Sequence, residues 1–139
     1  MRKLMPDVVH DRTPVTLSPD ATAKDACRCM QERQIGAVVV TGKDGAPLGI
    51  FTGRDAVCRV IASGHDPATT RLDAVMTRDP ATMAPPTTAI EALRLMQDGG
   101  FRHVVIVDKG RVVGVVSRRD FRGDEQGRLD EETGLWERI

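Results

Sequence analysis

Aromatic residues are scarce in this chain of 139 residues, which has three Phe, one Trp and no Tyr. A hydrophobic core must therefore be built mainly from Val, Ile, Leu, Ala and Met. Proteins that bind single-stranded nucleic acid stack successive bases on aromatic side chains. The shortage of aromatic residues argues against that function.

The chain also lacks an excess of either charge, because 20 basic residues match 20 acidic ones. Non-specific nucleic-acid binding depends on a basic surface, so a neutral chain is a poor candidate for it. No apolar run approaches the roughly 18 residues of a membrane span, and Met1 to Asp7 is not followed by an apolar signal region. We therefore expect a soluble cytoplasmic protein that binds neither nucleic acid nor membrane.

Cysteine occurs three times, at Cys27, Cys29 and Cys58, without the spacing of a metal site. The three histidines form no ligand pair with one another or with these cysteines. We expect small buried or half-buried thiols and no metal.

The chain consists of two copies of one unit. A shift of 66 residues (80 minus 14) superimposes the first copy on the second, and after the loss of one residue in a turn the shift becomes 65. Composition alone does not produce so many identities in one register. Clear matches are Pro14 with Pro80, Thr22 with Thr88, Met30-Gln31 with Met96-Gln97, Val38-Val39 with Val104-Val105, Gly49 with Gly114, and Arg54-Asp55 with Arg119-Asp120.

The sequence of each copy predicts a helix, two strands and a second helix. In the first copy a helix is predicted from Thr22, because Asp25 follows at capping-box spacing. A continuous apolar run predicts a strand buried on both faces, and an Asp-Gly turn leads to a second strand. The residues that support the first helix are Ala23, Ala26, Cys27 and Met30, and the strands cover Ile35 to Val40 and Leu48 to Phe51. The second helix begins near Thr52 and carries Ala56, Val57, Val60 and Ile61.

The second copy repeats this order. The matching residues are Thr88, Ala89, Ala92, Leu93 and Met96 for the first helix, Val104 to Val107 and Arg111 to Val116 for the strands, and Ser117 as the start of a helix that ends before Gly123. We place the boundary between the copies within the polar stretch Gly64 to Thr70, so that they occupy residues 1–66 and 67–122. Residues 123–139 form an acidic tail that ends in Leu135-Trp136-Glu137-Arg138-Ile139, and we expect this end to dock on its own domain or on a second subunit.

This repeat resembles the CBS (cystathionine β-synthase) domain family over residues 4–121. The resemblance rests on the lead-in Asp73 to Thr77, on Phe101 to Asp108, and on two copies of a Gly-h-h-(Ser/Thr)-x-x-Asp signature, Gly49 to Asp55 and Gly114 to Asp120, where h is an apolar residue. It implies an α/β (α+β) fold of two tandem CBS repeats. Each repeat would be helix-strand-strand-helix with a short lead-in strand, and a pseudo-twofold axis would relate the two.

The resemblance also implies an adenosine nucleotide as a regulatory ligand, bound in clefts between the repeats, with no other cofactor. Asp120 would accept hydrogen bonds from both ribose hydroxyls and Ser117 would bind the ribose or phosphate, with Asp55 and Thr52 as their counterparts. A carboxylate can accept two such donors, and the helix start would favour phosphate. The same Ser/Thr-x-x-Asp spacing is also explained by a capping box, and the hydroxyl could serve both purposes.

The rest of each cleft follows from the resemblance by position. The Asp120 cleft would use Ile35 and Gly36 with backbone near residues 7–12, and the Asp55 cleft would use Phe101 and Arg102 with backbone near residues 73–78. Basic side chains should make the Asp120 cleft the stronger one, with Arg54 and Arg118 partly assisting the other. The expected nucleotide-binding set is Ser117, Asp120, His103, Arg102, Arg118, Arg119, Val115, Ile35, Gly36, Thr52, Asp55 and Arg54.

Two other classes of function compete with a nucleotide sensor. An enzyme is disfavoured, because no nucleophile–base arrangement or Walker-type phosphate loop is present in a predicted cleft. A ligand-independent dimerisation or scaffold module remains an alternative, since CBS pairs commonly associate in twos and the short helices would expose apolar stripes. We expect a homodimer that acts on an unidentified target protein. AMP, ADP, ATP, NAD(H) and S-adenosylmethionine all carry the ribose that Asp120 would hold.

Overall fold

The computed structural model describes residues 15–85, 89–99 and 103–117. Several expectations fall outside these ranges: the lead-in of the first repeat, the cap at Thr88, the second helix of the second repeat, and the acidic tail. Within the described ranges, no helix has the length and apolar character needed to cross a bilayer.

Among the described residues, both repeats contain the order short strand, helix, strand, strand. The first contains β1 (Thr16–Leu17), α1 (Ala23–Arg33), β2 (Ala37–Thr41), β3 (Pro47–Thr52), a short α2 (Gly53–Asp55) and a π-helix (Ala56–Ile61). The second contains α3 (Leu72–Val75), β4 (Thr77–Arg78), β5 (Thr82–Met83), α4 (Ala89–Gly99), β6 (His103–Asp108) and β7 (Arg111–Ser117). The predicted α1, α4 and four long strands are confirmed. The two-residue strands β1 and β5 precede α1 and α4, where the resemblance implied a short lead-in strand and the apolar pattern gave no signal.

The duplication is visible in the strand register. In the first sheet β1 runs parallel to β2, and β2, β3 and β4 follow as antiparallel neighbours; the second sheet has the order β5-β6-β7. Thr16 lies opposite Val39 in the first sheet, and Thr82 lies opposite Val105 in the second. Thr82 and Val105 each follow their counterparts in the first sheet by 66 positions, so the repeat found in the sequence is also a repeat of hydrogen-bonded structure.

The lead-in of the second repeat is part of the sheet of the first. Strand β4 pairs with β3, with Gly49 opposite Arg78 and Ile50 opposite Thr77. The backbone at the start of the second repeat therefore lies beside the strand that ends at Thr52.

Helix α1 begins where the sequence indicated. The Thr22 hydroxyl accepts a hydrogen bond from the Asp25 N–H, and the Asp25 carboxylate accepts one from the Thr22 N–H, both at 3.1 Å. The helix ends at Gln34, whose backbone is left-handed with φ 55°. Ala23, Ala26 and Met30 are buried, as predicted.

The strands are buried on both faces, because successive side chains point to opposite sides of a sheet. Val38, Val40 and Phe51 join the helices of the first repeat in one cluster. Their neighbours Ala37, Val39 and Ile50 pack with Val105 of the second repeat in a cluster shared by the two sheets. The predicted two-sided burial of the first strand is therefore confirmed.

The second helix of the first repeat begins after Thr52, as predicted, and only part of its apolar stripe packs on the core. Val60 is buried and Ala56 is half-buried, but Val57 and Ile61 are 62% and 61% exposed. Consecutive residues of a helix point in different directions, so the side that packs on the core holds Ala56 and Val60 but not Val57 and Ile61. The helix is also a π-helix, in which the Ala62 N–H bonds the Val57 carbonyl five residues earlier.

Candidate functional site

The described part of the predicted site is centred on Asp55, which is 8% exposed. Strand β3 ends at Thr52, and the chain turns there into α2. The Thr52 hydroxyl accepts from the Asp55 N–H at 3.1 Å, and Asp55 Oδ2 accepts from the Thr52 N–H at 3.0 Å. The capping box considered from the sequence is therefore present, and it holds the carboxylate in one orientation.

Two further residues bind the same carboxylate. The hydroxyl of Thr77, on the neighbouring β4, lies 3.4 Å from both carboxylate oxygens. Arg59 Nε lies 3.5 Å from Oδ1, and Arg59 Nη1 donates to the carbonyl of Met76 at 3.0 Å. Asp55 thus connects the end of the first repeat to the lead-in of the second. Residues 73–78 of this lead-in supply the backbone that was expected beside Asp55 in its cleft.

The carboxylate keeps capacity to accept further donors. A carboxylate offers about four acceptor positions, and only the Thr52 N–H is at an ordinary hydrogen-bond distance. The contacts of Oδ1 with Thr77 and Arg59 are long at 3.4 and 3.5 Å. This oxygen is therefore able to take a hydroxyl donor from a ligand.

The start of α2 offers less to an anion than the sequence suggested. The Gly53 N–H donates to the Gly36 carbonyl at 3.2 Å, and the Asp55 N–H is bound by Thr52. Arg54 is exposed at this helix start. Positive charge near the site comes from Arg54 and Arg59 as well as from backbone N–H groups.

Ile35 and Gly36 lie beside the signature of their own repeat. Ile35 packs against the hydrophobic cluster of the first repeat. Ala37, which follows Gly36, lies opposite Thr52 in the sheet. They were expected to serve the Asp120 cleft, whose acidic residue lies outside the described residues. Their part in that cleft stays a prediction.

In the second repeat, three predicted residues are described. His103 and Ser117 are directly opposite each other on β6 and β7, and both are half-buried. Val115 packs against the cluster shared by the two sheets. The other four predicted residues of this repeat, Arg102, Arg118, Arg119 and Asp120, lie outside the described residues, so their roles stay predictions.

Thr77 and Arg59 were not in the predicted set. Arg59 follows Asp55 by four residues, a spacing at which opposite charges meet on a helix, and this signal was available in the sequence. Thr77 was recognisable only as part of the lead-in, because its proximity to Asp55 depends on the pairing of β4 with β3.

The first capping box provides a comparison within the chain. Thr22 and Asp25 have the same spacing and similar distances, but their hydrogen bonds are exposed. Bonds from the Thr22 backbone and hydroxyl lower the pKa of Asp25. Spacing alone therefore does not distinguish a cap from a binding residue; burial and contact with the next repeat set Asp55 apart.

The cysteines agree with expectation in two of three cases. Cys27 and Cys29 are half-buried, and burial raises the pKa of the Cys27 thiol. Cys58 is exposed, because it lies on the side of the π-helix away from Val60. Across the described ranges, no three His, Cys, Asp or Glu residues are grouped closely enough to hold a metal ion.

A groove of about 440 Å³ lies elsewhere, between β1, the hairpin turn after β2, and Arg71. It is formed by segments far apart in sequence, so no local pattern indicated it. Its lining residues are Thr16, Leu17, Ser18, Pro19, Asp20, Thr41, Gly42, Lys43 and Arg71.

Comparison with known proteins identifies the family. The model of the CBS domain matches residues 7–61 and 72–124. The chain belongs to the CBS domain family. Its resemblance to tandem CBS repeats and the predicted fold class are therefore confirmed, and CBS-domain pairs are regulatory modules.

Three similar proteins place this CBS pair among its relatives. The CBS domain-containing protein CBSCBSPB2 of Arabidopsis thaliana is 39% identical over 102 residues, which are 73% of this chain and 19% of that protein. The chain thus spans less than a fifth of that relative's length. A CBS domain protein from Pyrobaculum aerophilum complexed with AMP is 26% identical, with a TM-score of 0.82 over 93% of this chain and 99% of that one. A hexameric CBS-CP12 protein from bloom-forming cyanobacteria is 26% identical, with a TM-score of 0.80 over 96% of this chain and 77% of that one.

Proposed function

We propose that this CBS pair binds an adenosine nucleotide between its repeats and transmits the binding event to a partner protein as a change in conformation. One observation carries the proposal: the buried carboxylate of Asp55 contacts Thr77 of the next repeat and retains an oxygen able to accept a hydroxyl. The AMP complex of a relative similar over 93% of this chain supports the choice of ligand.

In this proposal the ribose hydroxyls donate to Asp55 Oδ1. The Thr77 hydroxyl can rotate to another acceptor, and the half-exposed Arg59 moves away from Oδ1 or turns toward a phosphate. Because Arg59 also holds the Met76 carbonyl, its movement alters the link between the π-helix and β4. A ligand that favours one arrangement of this link shifts the population toward it.

The two clefts are proposed to differ in affinity. Asp55 is already bound by Thr52, Thr77 and Arg59, so a ligand there must compete with the chain's own donors. The other cleft is proposed to combine Ser117, Asp120 and His103 with Arg118 and Arg119. We expect it to bind more tightly.

Calorimetry with AMP and with ATP tests the proposal on Asp55→Ala, Asp120→Ala and the control Asp25→Ala. Asp25→Ala removes a cap of the same spacing from an exposed helix start, so its affinity should equal that of the unmodified chain. Charged hydrogen bonds contribute about 1.5–3 kcal/mol, so each cleft variant should weaken its own site about 10- to 100-fold. Asp120→Ala should therefore weaken the tighter of two binding events and Asp55→Ala the weaker one. Two sites of equal affinity in the unmodified chain would refute the asymmetry, and absence of binding to that chain would refute the function.

A scaffold that needs no ligand is the second candidate function. It is favoured because both hydrogen bonds of the capping box at Thr52 are made within the chain, without a ligand. A thermal shift against a nucleotide panel separates the two. Ligand at 100 times its dissociation constant stabilises the folded state by about 2.7 kcal/mol, whereas a scaffold shows no shift with any nucleotide.

The remaining features of the proposal rest on the sequence alone. The repeats occupy residues 1–66 and 67–122, the chain catalyses no reaction, and it forms a homodimer. Native mass spectrometry would report the number of subunits and any nucleotide retained through purification. A cytoplasmic location stays a prediction.

A further inference from the structure

We propose that the groove beside β1 is a second ligand site, which binds a small carboxylate that carries an amino or hydroxyl group next to the carboxylate. Free amino acids and hydroxy acids have this chemistry. The groove has a volume of about 440 Å³, within the range of about 300–1,000 Å³ that is usual for small-molecule pockets. The proposal does not depend on nucleotide binding.

The groove lies at the opposite end of β2 from the proposed nucleotide site. Strand β2 begins at Ala37, which is opposite Thr52, and ends at Thr41, which lines the groove. Four residues of a strand rise about 13 Å. A ligand in the groove therefore occupies a site separate from that of a nucleotide held by Asp55.

The lining of the groove carries charges of both signs. Lys43 and Arg71 are cationic, and Asp20 is anionic. A hydrogen bond from the Ser18 hydroxyl lowers the pKa of Asp20, so its carboxylate is ionised at neutral pH. This lining matches a ligand that has a carboxylate and a hydrogen-bond donor close together. It matches a phosphate group less well, because Asp20 would repel the concentrated negative charge.

Three side chains of the groove have groups left to bind such a ligand. Within the part of the chain that the structure describes, Lys43 makes no ion pair and the half-buried Thr41 hydroxyl makes no hydrogen bond. Asp20 accepts the Ser18 hydroxyl on Oδ1, which leaves Oδ2. We assign the ligand carboxylate to Lys43 and Thr41, and the ligand amino or hydroxyl group to Asp20.

Arg71 has a different part in the groove, because it is already fixed in place. Its Nε donates to Asp73 Oδ1 at 3.1 Å, and its Nη2 donates to Asp73 Oδ2 at 2.9 Å. A bidentate pair of this kind holds the guanidinium in one orientation. Arg71 therefore forms a rigid wall of the groove and adds positive charge beside the ligand carboxylate.

The second repeat lacks these polar groups at the equivalent positions. The residues that correspond to Ser18, Asp20, Thr41 and Lys43 are Ala84, Pro86, Val107 and Asp108. The fold of a repeat therefore does not require a polar lining at this place. The first repeat alone combines a lysine, a carboxylate and a hydroxyl there.

The turn that borders the groove also contacts the second repeat. Gly42 and Lys43 line the groove, and the Gly45 carbonyl in the same turn accepts a hydrogen bond from the Val112 N–H of β7 at 3.0 Å. A ligand bound to Lys43 restricts this turn. We therefore expect binding in the groove to change the surroundings of the Val112 amide.

Amide NMR spectra of the full-length chain, titrated with L-alanine, L-lactate and propionate, test the proposal. The three molecules share one carbon skeleton and a carboxylate, and they carry an amino group, a hydroxyl group or neither. We expect L-alanine or L-lactate to shift the signals of Gly42, Lys43 and Val112 in a saturable manner, and the tighter of the two shows which donor the site prefers. Propionate should bind at least about tenfold more weakly, because it has no donor for Asp20.

Two variants remove one charge each from the groove and keep the size of the side chain. Lys43→Gln and Asp20→Asn should each weaken the binding of the preferred molecule about tenfold or more. The matched control is Lys24→Gln, which neutralises an exposed lysine of α1 outside the groove and should leave the affinity unchanged. Circular dichroism verifies that each variant is folded.

Several results would overturn the proposal. One is the absence of saturable shifts at Gly42 and Lys43 with all three molecules, and another is equal affinity for propionate, which would mean that charge alone is recognised. Equal losses in Lys43→Gln and Lys24→Gln would place the binding outside the groove. Shifts at Thr52 and Gly53 in place of Gly42 would assign the ligand to the nucleotide site. Shifts at Gly42 and Lys43 without one at Val112 would refute the link to the second repeat.

Discussion

Gly49 lies opposite Arg78, where β3 pairs with β4. A Cβ atom added at this position would lie 2.5 Å from Met76 Sδ and 2.8 Å from the Thr77 carbonyl oxygen. The methionine side chain can move, but the carbonyl belongs to the backbone paired with β3. We predict that Gly49→Ala destabilises the protein by about 1–3 kcal/mol, the usual cost of forcing extra atoms into a packed site.

A urea titration followed by circular dichroism measures this loss, and Gly53→Ala is the matched control. A Cβ at Gly53 meets nothing within 4 Å, and the residue is helical. Alanine there should be neutral or stabilising by up to about 1 kcal/mol, because it restricts the unfolded chain. Equal effects of the two substitutions would contradict the close approach of β4 to β3.

For single residues, the sequence predicted which residues form the site better than it predicted which other residues they contact. Thr52 and Asp55 were identified from a seven-residue signature, and the structure brings them together in the expected cap. Thr77 was missed because its contact with Asp55 joins residues 22 positions apart through strand pairing. Local spacing contains no information about that pairing.

Helix α1 begins at a junction that also holds the segment between the repeats. The Ala23 and Lys24 N–H groups donate to the carbonyls of Thr70 and Pro67, at 2.8 and 3.0 Å. The first N–H groups of a helix have no partner within the helix, so this segment serves as part of its N-terminal cap. The polar stretch Gly64 to Thr70, in which the boundary between the copies was placed, is therefore hydrogen-bonded to the first repeat.

Acid should weaken this junction. The cap at Thr22 lowers the pKa of Asp25, and hydrogen bonds from Ser18 and Arg71 lower those of Asp20 and Asp73. A carboxyl group whose folded pKa is lowered contributes stability above its unfolded pKa of about 3.9 and loses it as the pH falls through the folded value. We predict urea midpoints that are constant from pH 7 to 5 and decline progressively below pH 4.

Asp25→Asn should reduce this decline while lowering stability at pH 7, because the amide is a weaker cap and does not titrate. Glu32→Gln, near the other end of the same helix, is the control, since Glu32 takes no part in the cap. Parallel pH profiles for Asp25→Asn and the unmodified chain would contradict the assignment.

The local sequence pattern predicted the long elements, whereas short strands were implied only by the resemblance to CBS repeats. The capping box and apolar stripe of α1 are local signals, and both are present in the structure. Strands β1 and β5 have two residues each, too few to show an alternating pattern, and they exist because β2 and β6 provide partners. The exposure of Val57 likewise depends on which elements pack around its helix.

For the whole molecule, the duplicated pattern predicted two halves, and the register shows that they also share a core. Val39 and Val105 are equivalent residues of the two repeats, and both belong to the cluster between the sheets. Val38 and Val104, one position earlier, are also fully buried but belong to the separate cores of their own repeats. The alternation of side chains along a strand therefore separates residues that join the repeats from residues that stabilise one repeat.

This arrangement predicts different energetic coupling for the two valine pairs. Val39→Ala and Val105→Ala remove side chains from one cluster, so their effects on the free energy of unfolding should be non-additive by about 0.5 kcal/mol or more. Val38→Ala and Val104→Ala lie in separate clusters and should add to within about 0.3–0.5 kcal/mol. Urea titrations of the four single and two double variants measure both cycles. Additivity in both would mean that the repeats fold without support from each other, and a nucleotide bound to one could not bias the other through this interface.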